Sequence, residues 1–339
     1  MRLAHPLLAA PLLALTLPAP ALANDSEAEW AVGGLVLKQN DAISMDAEEL
    51  YISEAEVRVD YTYTNQSEKD LELTISFPLP PMPEKGLYYD YYSALPDWDQ
   101  LKFRTTVDGE EVDWTASDRA LIDGKDVTAK VEAEGLPVLW YGPADLPQTL
   151  GKLPTDQLAR LERAGLIKRD TSYGTDWLPA WQVQRHIVRT QTFPARKAVH
   201  VSHRYKPING GSVGGMLYPH ARTEFPEGLA DYRTRWCVDD SFLAGFDRRD
   251  AAMKAKAPSG EVYSSETWIG YILSTGANWR GPIKDFRLVV DKGSPDNLVS
   301  FCMDGVKKVS DTRFEVRKQD FEPKGDLNVL LVQWWRMED

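Results

Sequence analysis

The strongest constraint on this chain is a two-residue period in its hydrophobic pattern. The segment "VRVDYTYTN" alternates apolar or aromatic side chains with polar ones, and "LELTISF" does the same after a short polar turn. The positions predicted to face the interior are Val57, Val59, Tyr61, Tyr63, Leu71, Leu73, Ile75 and Phe77. Because successive side chains of a β-strand point to opposite faces, this pattern predicts a hairpin with one buried and one solvated face.

The same pattern recurs along most of the chain, between residues that favour turns. A second hairpin is predicted at "FRTTVDGEEVDW", where Asp108-Gly109 can take the positive φ angles of a tight turn. Further strands are predicted over 181–193, 197–207, 266–274, 283–291, 297–303, 306–309, 312–318 and 327–334. Many short antiparallel strands with few helices are typical of β-sandwiches. We therefore predict a mainly β protein with two β-sandwich-like antiparallel domains, a short helical insertion and one helix in the C-terminal half.

Changes in composition suggest where these domains begin and end. The N-terminal sandwich is predicted over 24–206, with an insertion at about 136–182 in which "LPTDQLARLERAGLI" has the apolar spacing of a short helix. The glycine-rich "NGGSVGG" indicates a linker or hinge over 207–225. The C-terminal sandwich is predicted over 226–339, with a helix at about 239–255 that Asp239 or Asp240 can cap.

The first 23 residues have the composition of a cleaved signal peptide. Arg2 gives a positive end, residues 7–17 form an apolar run, and Ala21-Leu22-Ala23 supplies the small residues that signal peptidases require. A genuine N-terminal core helix is the alternative, but four prolines in this segment argue against it, since each removes a backbone donor. We predict cleavage after Ala23 and a periplasmic protein. No later segment approaches 18 consecutive apolar residues, so no transmembrane segment is predicted after cleavage.

The charge of the chain argues against binding to nucleic acids. Residues 1–23 contain one of the 39 basic residues and none of the 51 acidic ones, so the remainder has a net charge near −13. A chain this acidic repels a phosphate backbone. We therefore expect no nucleic-acid partner.

Cys237 and Cys302 are the two cysteines of the sequence. In an oxidising compartment two thiols on one chain usually pair, which predicts a disulfide. Two buried free thiols are the alternative. Neither cysteine has a Cys or His partner at the short spacing of a zinc site, so no metal or other cofactor is predicted.

No catalytic set can be recognised, so the catalytic residues are unknown. The sequence has no Gly-x-Ser-x-Gly elbow, and "GGSVGG" lacks the Gly-Lys-Ser/Thr ending of a phosphate loop. His186 and His203 would face each other across two strands in one register but not in a register shifted by one residue. Ordinary sheet histidines are therefore the preferred interpretation of this pair.

Aromatic residues give the clearest candidates for contact with a ligand or partner. The segment "GLYYDYYSALPDWD" clusters Tyr88, Tyr89, Tyr91, Tyr92 and Trp98. Exposed rings there could stack on sugars or pack against a partner protein, whereas the alternative is that they cover the open end of the sandwich.

The connector "TGANWRGPI", between two predicted strands, also allows two interpretations. It is too long for a two-residue turn, and Gly276 and Asn278 can adopt positive φ angles. In the first interpretation it is a shaped corner of the sheet, with Trp279 folded back into the sandwich. In the second it is a ligand-facing loop with Asn278 and Trp279 as contacts.

Several segments together resemble the domain of unknown function 4424 family of exported proteobacterial proteins. They include "NDSEAEWAVGGLVL" (24–37), "HRYKPINGGSVGG" (203–215), "YILSTGANWRGPIKDFRLVVDKG" (271–293) and "VSFCMDGVKKVSDTRFE" (299–315). This resemblance implies an exported, mostly β protein and supplies no reaction or ligand. The layout of the N-terminal domain is also similar to β-sandwich domains of the vault and inter-α-trypsin type, which are interaction modules; the insertion departs from that layout.

Three hypotheses for function follow. The first is a non-catalytic β-sandwich protein that binds an envelope partner protein or polymer. The second is an envelope hydrolase acting on glycan, which would need two carboxyl groups in a cleft, one with a raised pKa. The third is a metal-dependent sensor that uses His186 and His203.

Overall fold

A computed structural model of the chain describes residues 24–31, 34–82, 98–141, 144, 146–169, 177–256 and 262–336. Within these ranges the fold is mainly β, as predicted. The strands are β1 Ser26–Ala31, β2 Gly34–Lys38, β3 Ile43–Ile52, β4 Val57–Asn65, β5 Leu71–Pro78, β6 Arg104–Val107, β7 Glu110–Glu111, β8 Thr115–Ile122, β9 Lys125–Asp126, β10 Ile167–Arg169, β11 Trp177–Pro179, β12 Gln182–Phe193, β13 Ala198–Tyr205, β14 Gly210–Val213, β15 Val262–Tyr271, β16 Ile283–Asp291, β17 Leu298–Phe301, β18 Lys307–Lys308, β19 Arg313–Phe321 and β20 Leu327–Arg336.

The helices lie between and beside these strands. They are α1 Thr128–Ala133, α2 Leu146–Leu150, α3 Thr155–Arg163, α4 Pro219–Glu224, α5 Pro226–Trp236 and α6 Asp240–Ala255, with 3₁₀ turns at Trp98–Leu101 and Ser274–Asn278. Among the described helices, none has the length and apolar character needed to cross a bilayer.

The largest sheet has eight strands in the order β18-β19-β16-β3-β4-β13-β6-β7. Its neighbours are antiparallel except for β3 and β16, which run parallel with Asp285 opposite Ala47. This sheet combines strands from both sides of the predicted linker. The predicted division into two sandwiches joined at 207–225 is therefore not how the strands pair, because β16 completes the N-terminal sheet instead of forming a separate one.

A six-stranded sheet in the order β2-β1-β5-β12-β8-β9 packs against the large sheet. The buried face of β4 alternates as predicted, but β4 pairs with β3 and β13, whereas β5 pairs with β1 and β12. The predicted hairpin between these two strands is therefore wrong. The turn after β4 instead carries the chain from one layer to the other, so that Tyr63 and Phe77 belong to one core from opposite sheets.

The third sheet, in the order β14-β15-β20-β17, adds Ile269 and Val329 to the same core and buries its other face under α5 and α6. The predicted helix near 239–255 is observed as α6, and the Asp239 side chain accepts a hydrogen bond from the Phe242 backbone N–H at 2.7 Å. Residues 210–213, inside the predicted linker, form edge strand β14. A Cβ at Gly211 would lie 2.5 Å from the Glu266 carbonyl oxygen, so the close approach of β14 to β15 requires glycine there.

The predicted helical insertion forms a small hydrophobic core of its own beside β8. Helix α3 buries Leu158 and Leu161, and Trp140 and Trp181 complete this core. The helix begins after Pro154 without a side-chain cap.

The sulfur atoms of Cys237 and Cys302 lie 2.15 Å apart, in accord with the predicted disulfide. Cys237 ends α5 and Cys302 follows β17. The bridge therefore fastens the helical layer to the edge of the third sheet.

Candidate functional site

The first described residues of the chain enter the centre of the molecule. Asn24, Asp25 and Ser26 are all fully buried. The indole N–H of Trp279 donates to the Asp25 carbonyl oxygen at 2.7 Å, and the Asn278 side-chain amide donates to the Ser26 hydroxyl at 3.0 Å. Trp279 is 1% exposed, so in this structure the connector serves as a corner that holds residues 25 and 26, and Asn278 and Trp279 contact protein.

Asp25 is the acidic member of a buried charged group. Arg189 on β12 donates two hydrogen bonds to its carboxylate, at 3.1 and 2.6 Å. His203 on β13 places its Nε2 atom 3.2 Å from the same carboxylate. Burial opposes ionisation, but Arg189 and His203 outweigh it and hold the pKa of Asp25 below its usual range. Burial lowers the pKa of His203, so the main ion pair is that between Asp25 and Arg189.

Glu48 is buried because of a β-bulge. The register between β3 and β4 shifts between Met45 and Ala47, so the strand buries Ile43 and Met45 before the shift and Glu48 after it. Simple alternation from Ile43 would point Glu48 at solvent. Burial raises the pKa of Glu48 to about 8, and the nearby carboxylate of Asp25 adds to this effect.

Asn24 connects Glu48 to two tyrosines. Its side-chain amide donates to Glu48 Oε2 at 3.1 Å, while its Oδ1 atom accepts hydrogen bonds from the hydroxyls of Tyr61 at 2.7 Å and Tyr271 at 2.8 Å. We call Asn24, Asp25, Glu48, Tyr61, Arg189, His203 and Tyr271 the buried polar cluster. All its members have at most 5% exposure, so in this structure the cluster is closed to ligands from solution.

Tyr271 also contributes to the lining of a surface groove between the six-stranded sheet and the third sheet. One wall is the segment after β5, where the Met82 N–H donates to the Val183 carbonyl at 2.9 Å and so fixes residues 80–82 along β12. The other wall includes Trp268 and Gly270 of β15. A Cβ at Gly270 would lie 3.3 Å from Pro80 Cγ, so a side chain at this position would crowd the opposite wall.

This groove has a volume of about 310 Å³ and a mostly apolar lining with charged groups of both signs. It is lined by Pro80, Pro81, Met82, Gln182, Ile208, Gly210, Arg235, Trp268, Gly270, Tyr271, Ile272, Asp326 and Asn328. Burial raises the pKa of Asp326, which accepts a hydrogen bond from the Ser274 hydroxyl at 2.7 Å. Burial also lowers the pKa of Arg235 to about 10, and its guanidinium lies 4.6 Å from the centre of the Trp236 ring.

The residues predicted from the aromatic cluster are only partly within the described chain. Tyr88, Tyr89, Tyr91 and Tyr92 lie outside the described residues. Trp98 lines a smaller cavity that continues the groove past Pro80 and Gly270. Its indole N–H donates to the Tyr141 hydroxyl at 3.0 Å, and the Arg185 guanidinium lies 4.5 Å from the centre of its ring.

The proposed histidine pair does not form. His186 lies on β12 opposite Pro78 and Ser117, whereas His203 lies on β13 in the other main sheet, opposite Val59 and Thr105. The two strands follow each other in sequence but belong to different layers, as β4 and β5 do. Within the described ranges, no group of three or more His, Cys, Asp or Glu side chains could hold a metal ion.

The carboxylates around the groove do not resemble a glycosidase pair. Among its described lining residues Asp326 is the one carboxylate, whereas that chemistry requires two. A second, larger cavity of about 630 Å³ is lined by Glu49, Glu56 and Glu315 together with arginines. There the pKa of Glu315 is lowered by Arg317 and Arg287, which is the opposite of what a general acid needs.

Comparison with known proteins gives a family match. The family model DUF4424, described as a domain of unknown function, matches residues 23–330. No curated protein matches the chain. A crystal structure described as that of a "putative nutrient binding protein" from Legionella pneumophila is 13% identical and covers 91% of this chain and 70% of that one, with a TM-score of 0.42. At that TM-score the likeness supports no conclusion about this chain.

Proposed function

Because this chain belongs to the DUF4424 family, whose description assigns no role, we propose from its own geometry that it is an exported binding protein of the cell envelope. In this proposal the groove beside Gly270 holds an extended, apolar segment of a partner polypeptide. The signal-like composition of residues 1–23 and the disulfide both support export.

The observation that carries the proposal is the chemistry of the groove lining. Proline, methionine and isoleucine supply five of its thirteen lining residues, and these suit the apolar side chains of a peptide. The Asp326 carboxylate in the lining can accept hydrogen bonds from an extended backbone. A groove of about 310 Å³ can hold a short extended segment but not a folded domain.

An envelope glycan is the alternative occupant, and the same lining argues against it. Sugar rings bind on exposed aromatic faces, but Trp268 and Tyr271 are 8% and 1% exposed and turn little ring surface towards the groove.

A photoreactive phenylalanine analogue placed at Ile208 in intact cells tests the proposal. Ile208 lines both the groove and its extension, and Phe225, which is 46% exposed and lines neither, is the matched control position. We expect an adduct at Ile208 that is absent at Phe225 and that a protease degrades. An adduct that resists protease but is removed by a glycan-cleaving enzyme would show that the occupant is a glycan and not a polypeptide. Equal capture at both positions would show that the groove is not the binding site.

A pair of glycine variants shows whether capture depends on the shape of the groove. Gly270→Ala places a methyl group 3.3 Å from Pro80 Cγ and narrows the groove, whereas a methyl at Gly245 on α6 meets only Arg248 Nη2 at 3.9 Å. We expect capture at Ile208 to fall in Gly270→Ala and to persist in Gly245→Ala. Unchanged capture in Gly270→Ala, with its melting temperature also unchanged, would contradict the proposal.

A further inference from the structure

Glu48 has one carboxylate oxygen that nothing in the described structure satisfies. Its Oε2 atom accepts the hydrogen bond from Asn24, but Oε1 is buried and has no hydrogen-bond partner. As a carboxylate, Oε1 lacks a donor, and as a protonated acid it would lack an acceptor. A buried polar atom left in this way is costly, so a missing partner is the simplest physical explanation.

When Glu48 is ionised, the charges that face it do not balance. Asp25 and Arg189 form an ion pair and cancel each other, and burial favours the neutral form of His203. The remaining neighbours of Glu48 are the tyrosines 61, 63 and 271 and the amide of Asn24, which carry no charge at neutral pH. One further positive group would neutralise an ionised Glu48.

Asn24, the first residue of the predicted mature chain, donates its side-chain hydrogen bond to the other oxygen of the same carboxylate. The α-nitrogen of an asparagine is four bonds from its side-chain nitrogen and lies no more than about 5 Å from it. The Asn24 side-chain nitrogen is 3.1 Å from Glu48 Oε2, so the α-nitrogen of Asn24 lies within about 8 Å of that oxygen. A second observation shows that this place is shaped for Asn24, since a Cβ at Gly276 would lie 2.9 Å from its side-chain nitrogen.

We propose that removal of residues 1–23 creates an α-ammonium group on Asn24 that forms a buried ion pair with Glu48. The buried polar cluster is then complete only in the processed chain. Hydrolysis of the Ala23–Asn24 bond by a signal peptidase consumes one water. It leaves a carboxylate on Ala23 of the released leader and an amine on Asn24, which takes up a proton. The inference rests on cleavage after Ala23 and is independent of what the groove binds.

Amine acylation of the exported protein tests the proposal. The full chain is exported from a bacterial host, and mass spectrometry identifies its first residue. A matched variant carries Ala-Gly inserted between Ala23 and Asn24, so that its α-amine begins outside the cluster. At neutral pH we expect the Asn24 α-amine of the folded protein to be acylated on the order of tenfold more slowly than that of the variant, because a buried amine reacts only when the structure opens. Equal rates, or a chain that does not begin at Asn24, would overturn the proposal.

Glu48→Gln identifies the partner of the ammonium group. In the wild-type background the inserted variant should unfold at a lower urea concentration than the exported protein. In the Glu48→Gln background this difference should disappear, because the carboxylate that distinguishes the two forms is gone. A difference that persists would assign the effect to the length of the chain and refute the ion pair. If Glu48→Gln does not fold, the acylation rates decide the question.

Discussion

Replacing Trp279 tests the central packing of this fold. The indole is 1% exposed, lies 4.9 Å from the ring centre of Tyr63, and donates a hydrogen bond to the Asp25 carbonyl oxygen. Trp279→Ala would leave a cavity and remove that donor. Deleting a buried aromatic side chain costs about 3–5 kcal/mol, and the lost donor favours the upper end of that range. At roughly 2 °C per kcal/mol for a chain of this size, the melting temperature should fall by about 6–10 °C.

Thermal unfolding followed by circular dichroism measures this change, with two further variants for comparison. Trp279→Phe keeps most of the ring but no donor, and should cost about 1–3 kcal/mol. Trp335→Ala removes an indole that is 49% exposed and should change the stability by no more than about 0.5 kcal/mol. If Trp279→Ala melts at the wild-type temperature, the packing argument fails and the ligand-facing interpretation of this connector regains support.

Three further predictions concern the disulfide, a crowded glycine and a buried acid. Protein denatured without reductant should show no titratable thiol, and two free thiols would contradict the bridge. The double variant Cys237→Ala, Cys302→Ala should have a free energy of unfolding lower by about 4 kcal/mol, because the bridge joins residues 65 positions apart in the sequence. Gly276→Ala should lower the free energy of unfolding in urea by about 1–3 kcal/mol, because its methyl group would lie 2.9 Å from Ile283 Cδ1. An unchanged free energy of unfolding would contradict the close packing at this corner. Burial raises the pKa of Glu266 from 4.5 to about 7. Between these two pH values the folded state holds a proton that the unfolded state has lost. The stabilisation from this proton is therefore complete below pH about 4.5 and is lost as the pH rises through about 7. Relative to Glu266→Gln, the wild type should lose up to about 3 kcal/mol over this window, and parallel pH profiles would refute the assignment.

Local features of this fold could be predicted from sequence where neighbouring residues determine them. The Asp108-Gly109 turn joins β6 to β7 with both residues at positive φ, and the cap at Asp239 begins α6, as the residue types indicated. The buried face of β4 also follows from alternation alone.

Other features depend on which distant segments meet, and alternation does not contain that information. Alternation shows which faces of β4 and β5 are buried, but it does not show which strands pair with them. The sequence therefore predicts a hairpin where the chain between β4 and β5 passes from one layer to the other. It also places Glu48 on the wrong face, because the bulge after Met45 shifts the strand by one residue and has no clear signature in "ISMDAEEL". The groove was missed because its walls come from segments nearly 200 residues apart in the chain, such as Pro80 and Gly270.

The parallel contact between β3 and β16 has a consequence for how this molecule can be assembled. Asp285 lies opposite Ala47, 238 positions earlier, so the middle of the large sheet cannot close until most of the chain has been synthesised. Contacts over such separations are slow to form. A chain that ends before residue 283 would leave one side of β3 with unpaired backbone groups, and an unpaired strand edge promotes aggregation. Truncation products of this protein should therefore accumulate as insoluble material rather than as a smaller folded unit.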